Sequence, residues 1–185
     1  MLRFVYPATL GALFGLVVFS TSAMATTPQS LPSAPTCVGS EFRQLDFWLG
    51  DWDVRWDAWP SQPMGHGTNH VTRDFDDCVI HEHFSGGPST GNLRGESWSL
   101  YHAPSQWWRQ TWVDNQGGYF ALTGGMSGDR FVLVSNSLGD NAPRQRMVFE
   151  DITTNSFTWR WQRTADGGAT WSDSWVIYYS RRAHS

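Results

Sequence analysis

Twelve tryptophans, many of them two or four positions apart, constrain this chain of 185 residues more than any other feature. Trp52 and Trp56, Trp108 and Trp112, Trp159 and Trp161, and Trp171 and Trp175 all keep even spacing. On a strand, even spacing puts side chains on one face. Each indole joins a large apolar body to one N–H donor. A sheet face lined with such rings suits a small barrel whose interior holds a ligand.

After Gly50 the pattern reads as strand, turn, strand. It predicts ten strands, at 51–59, 66–75, 78–85, 95–102, 106–114, 119–123, 130–135, 144–151, 156–164 and 170–181. Turn chemistry separates them: Asp76-Asp77, Gly86-Gly87-Pro88, Asn115 to Gly118 and Gly124-Gly125. Short strands at regular intervals argue an all-β fold. Short connections favour an up-and-down antiparallel meander, and closing it into a barrel of about eight to ten strands removes both edges. The one helix-like stretch is 41–49, where Phe42, Leu45, Trp48 and Leu49 fall at helical intervals and Gly50 offers a stop.

The N-terminus reads as a targeting segment. Arg3 supplies a positive start, 8–20 is apolar, and Ala23-Met24-Ala25 is a small-x-small cleavage site. The expected organisation is a signal peptide at 1–25, a flexible Thr/Pro/Ser-rich arm at 26–40 and a single barrel domain at 41–185. The apolar run is too short to span a bilayer, so no stable membrane insertion is expected after cleavage, and the product is expected to be periplasmic or secreted. Cys37 and Cys78, the only cysteines, suggest one disulfide in an oxidising compartment, with two free thiols as the alternative. The net charge of −4 argues against nucleic-acid binding. All thirteen basic residues are arginines, which excludes Schiff-base chemistry on a lysine amine.

Phe47-Trp-Leu-Gly-Asp-Trp-Asp-Val54 places a Gly-x-Trp at the start of the first strand, after a short helix. This resembles the opening of lipocalins and other calycin barrels, in which the tryptophan closes the barrel base and an arginine near the last strand packs over it. Arg181 and Arg182 are the matching candidates. The wider pattern is similar to a bacterial family of exported, lipocalin-like domains of unknown function. Its pieces here are Leu45 to Val54, Cys78 to Phe84, Gly95 to Tyr101, Trp108 to Asp114, Leu122 to Gly125, Arg160 to Gln162 and Asp166 to Trp171. The resemblance implies a calycin-like barrel and no established reaction.

His81-Glu82-His83 is the sharpest chemical signal. On a strand the two histidines share one face, and Glu82 points the other way with Cys78, Ile80 and Phe84. An acid among apolar neighbours is either paired or perturbed. Glu82 is therefore the candidate for orienting a ligand or for acid/base catalysis, with an ion pair to Arg160 as the structural alternative. His81 and His83, with His70 or His66 from the adjacent strand, are the residues that would hold a divalent ion. The acid expected soon after His83 in cupin-type sites is missing, and no metal or other cofactor is expected. Faces mixing polar groups with aromatic walls add Trp98, Tyr101, Gln110, Trp112, Arg160, Trp161 and Gln162 as candidate ligand-binding residues beside Glu82. Gly87-Pro-Ser89-Thr-Gly91 matches G-x-S-x-G, but a strand follows where a nucleophile elbow needs a helix.

Three readings follow. The first is an exported lipocalin-like barrel binding a small aromatic or amphipathic molecule in its interior. The second is a hydrolase or isomerase on the same barrel, using Glu82 or the nearby histidines as acid/base. The third is a structural envelope protein with a filled core and no ligand.

Overall fold

The computed structural model describes residues 37–58, 63–135 and 144–183. The signal peptide expected at 1–25, most of the arm expected at 26–40, and Trp59 lie outside these residues. Ten strands follow one another: β1 (Gly50–Trp56), β2 (Gly65–Asp74), β3 (Val79–Ser85), β4 (Arg94–His102), β5 (Trp107–Asp114), β6 (Tyr119–Ser127), β7 (Arg130–Ser135), β8 (Arg144–Glu150), β9 (Ser156–Thr164) and β10 (Ser172–Arg181). Each pairs antiparallel with its sequence neighbour, and β1 pairs with β10 to close the barrel. This is the expected all-β, up-and-down barrel.

Two local expectations need correction. β6 runs through Gly124-Gly125, which the sequence presents as a turn. Gly124 is there because the backbone of β7 comes too near for a side chain; a Cβ would lie 2.0 Å from the Val132 carbonyl oxygen. The expected helix at 41–49 is instead two 3₁₀ segments, Ser40–Arg43 and Asp46–Trp48. Phe42, Leu45 and Trp48 are spaced by three, so a three-residue turn stacks them in one row, and Leu45 and Trp48 are buried.

These segments cap one end of the barrel. Trp48 meets Phe149 edge-to-face at 5.1 Å, and Phe47 meets Phe149 and Phe157. Trp108 Nε1 donates to Gln44 Oε1 at 3.0 Å. The Arg181 guanidinium lies 4.1 Å over the Trp52 ring and donates to the Leu49, Phe47 and Thr154 carbonyl oxygens. Carbonyls left unpaired where the cap meets β1 are thus satisfied by one planar donor fork. Arg182, the other sequence candidate, pairs with Asp53 instead. The Cys37–Cys78 disulfide and an Arg73–Asp46 ion pair fasten the cap to the β2–β3 end. No helix among the described residues is long and apolar enough to cross a membrane.

Candidate functional site

The lumen is not uniform. Near the cap it is solid, filled by Trp48, Trp52, Trp108, Phe131 and Phe149, all fully buried. Toward the other end the same inward faces leave a cavity of about 140 Å³. Trp112 of β5, Trp159 and Trp161 of β9 and Trp175 of β10 supply its indole walls, with Phe84 and Phe120 between them. Glu82, Tyr179, Leu122 and Met147 also line it, with Leu93 just before β4 and Asp114 at the end of β5.

Glu82 arrives in the lumen because Ile80 and Phe84 bind its strand face to the core, and all three are buried. Its Oε1 accepts from Asn69 Nδ2 at 2.7 Å, and its Oε2 from Ser97 Oγ at 2.6 Å. Asn69 Nδ2 also donates to the Tyr179 hydroxyl at 3.1 Å, which leaves the phenol proton free to donate onward. Burial pushes the Glu82 carboxyl up to about 7, and the Ser97 and Asn69 donors and the nearby His81 only partly oppose it. Burial also raises the Tyr179 phenol, and the adjacent Glu82 raises it further.

Asp114 behaves oppositely. Its burial works against the charge, but Trp112 Nε1 and the Gly118 and Gln116 amides donate to it and hold its carboxyl below the usual range. Among the described residues the cavity lining therefore carries two carboxyl groups and no arginine or histidine. Trp175 adds a buried indole N–H without a hydrogen-bond partner among the described residues. Room for the Trp112 indole comes from Gly95 opposite, where a Cβ would lie 2.1 Å from the ring.

Of the sequence candidates, Glu82, Trp112 and Trp161 line this cavity. Gln110 and Tyr101 also point inward but sit nearer the cap. Gln110 donates to Ser99 Oγ at 2.9 Å, and Tyr101 packs on Phe42 at 5.1 Å. Trp98, Arg160 and Gln162 belong to the outer surface, which corrects their placement on the wall. Trp98 stacks on His81 at 4.7 Å. Arg160 pairs with Glu150 and Asp173, so its expected alternative partnership with Glu82 does not form. Gln162 bridges Arg146 and Asp173. Sequence reasoning missed Asn69, Trp159, Trp175 and Tyr179; the Trp159/Trp161 spacing was the available signal for one of them.

The G-x-S-x-G look-alike and the Asp166 hairpin are both turn devices. Ser89 sits in a 3₁₀ turn (Pro88–Thr90) leading into β4. Asp166 ties its hairpin by accepting from Thr164 Oγ1, Thr170 N and Thr170 Oγ1, and Trp171 Nε1 donates to the Gly168 carbonyl.

No protein-family model matches this chain, and no curated protein is significantly similar to it.

Proposed function

We propose that this protein is an exported lipocalin-like barrel that holds one small aromatic molecule, neutral or cationic, in the indole-lined cavity. Membership of the exported lipocalin-like family belongs to the same proposal. The Gly50-x-Trp52 opening with Arg181 stacked on Trp52 favours it, and the disulfide suits an oxidising compartment.

The observation that carries the binding reading is Glu82, a buried carboxyl that faces an apolar cavity while its own partners use only part of its acceptor capacity. A folding core gains nothing from such a group. A ligand with an N–H or O–H at one end gains an acceptor there and a donor from Tyr179. The volume supports a single-ring ligand, since a cavity of about 150 Å³ accommodates a benzene ring. The walls favour a flat one, because four indoles stack on flat rings and attract cations over their faces. The two carboxyl groups disfavour anions.

Benzylamine, benzyl alcohol and benzoate share one ring and differ in the head group. Intrinsic tryptophan fluorescence titrated with each is expected to respond to the first two and not to benzoate. Glu82→Gln is expected to weaken the response about tenfold, the loss of roughly one charged hydrogen bond, and Trp161→Ala to weaken it further. No response to any of the three, or an equal response to benzoate, contradicts the proposal.

A further inference from the structure

Outside the barrel, on the face of β3 opposite to Glu82, the structure gathers a second constellation. His81 and His83 alternate outward, and the strand register sets Glu96 of β4 directly across from His83. One donor atom from each of the three lies within 4.8 Å of the other two. Glu96 Oε2 is 3.2 Å from His81 Nε2, and Glu96 Oε1 is 3.4 Å from His83 Nδ1. Ligands around a tetrahedral ion bound at 2.0–2.1 Å are separated by about 3.3 Å. Each imidazole nitrogen stands at about that separation from one oxygen of the Glu96 carboxylate, a different oxygen for each, and the rings lie 4.0 Å apart centre to centre.

The surroundings point the same way. The other nitrogen of His81, Nδ1, lies 3.0 Å from Asp74 Oδ2. A histidine that binds a metal through one nitrogen characteristically gives its remaining N–H to a carboxylate, which fixes the tautomer and strengthens the ligand. Trp98 stacks on the same ring at 4.7 Å and holds its plane. Both strands are inner members of the closed sheet, so the ligands stand on rigid backbone. His83 and Glu96 also border a surface hollow, which leaves the remaining coordination positions to water.

We propose that His81 Nε2, His83 Nδ1 and the Glu96 carboxylate form a site for a divalent first-row transition ion, with zinc(II) as its reference metal. Two imidazoles and one carboxylate suit zinc and its neighbours rather than calcium or magnesium, which prefer all-oxygen sites. Asp74 does not touch the ion and acts as a positioning residue. The site lies on the opposite face of β3 from the cavity and shares no ligand residue with its lining.

The test uses tag-free, chelator-treated full chain and zinc alone. Calorimetry is expected to give one zinc per chain, and cobalt(II) to give the visible absorption of a low-coordinate nitrogen and oxygen site. The His83→Ala/Glu96→Gln double variant is expected to lose both signals while its circular dichroism stays unchanged. Asp74→Asn is expected to weaken zinc about 10- to 100-fold. Absence of stoichiometric uptake, or uptake that survives the double variant, overturns the site. An unchanged affinity in Asp74→Asn overturns the role given to Asp74.

Discussion

Glu82→Gln isolates the energetic cost of placing a carboxyl in this lumen. The amide keeps the shape and both protein hydrogen bonds: its oxygen accepts from Asn69, and its NH₂ donates to Ser97, whose hydroxyl reverses role. Only the ionisation is lost. In the wild type the folded-state value is raised from 4.5 to about 7, so the folded protein keeps a proton that the unfolded chain has already released. The stabilisation is fully present below about pH 4.5 and is lost as pH rises through about 7. At about 1.4 kcal/mol per pH unit, the window is worth on the order of 3 kcal/mol. With a urea slope of about 2 kcal/mol/M, that is a shift of roughly 1.5 M in the midpoint. Urea unfolding followed by tryptophan fluorescence, in chelator, at pH 4.5, 5.5, 6.5 and 7.5 measures it directly. The variant should gain on the wild type across that range, and parallel midpoints at every pH would refute the reasoning.

Other outcomes can be checked alongside. Gly95→Ala drives a methyl into the Trp112 ring, which should cost about 1–3 kcal/mol in urea unfolding and weaken benzylamine binding. Arg181→Ala removes three carbonyl partners and the stack on Trp52; denaturant midpoints should report a loss of about 3 kcal/mol. Reducing the Cys37–Cys78 bond, which spans a sequence separation of 41, should cost about 4 kcal/mol in the chain-entropy model. Trp98→Ala should leave benzylamine affinity unchanged, because that indole faces outward on His81; a loss as large as that of Trp161→Ala would reverse the assignment of faces.

Strand number and nearly every boundary were legible because the two-residue period and the turn residues agree along the chain. Where they conflict, the reading failed. Gly124-Gly125 carries turn residues, yet it lies inside β6 because β7 approaches too closely for a side chain. The cap's sequence suits one α-helix as well as two 3₁₀ segments, because Phe42, Leu45 and Trp48 fit a period of 3.0 as well as 3.6. Glu82 was legible because its two neighbours on the same face are apolar. The outward turn of Arg160 and Gln162 was not, since β9 alternates polar and aromatic residues without saying which set is solvated. That information sits on neighbouring strands, in Glu150, Arg146 and Asp173. Glu96 escaped for the same reason. The cupin-type pattern puts the acid soon after His83 in sequence, whereas the strand register brings one across from β4.

The claim that aromatic ligands enter this lumen is tested most directly by the indole N–H signals in a ¹⁵N-labelled sample titrated with benzylamine. The signals of Trp112, Trp159, Trp161 and Trp175 are expected to move, and those of Trp48, Trp52 and Trp108 in the solid half to stay. A spectrum in which the wall indoles stay fixed, or in which only the outward-facing Trp98 and Trp107 respond, would contradict the account.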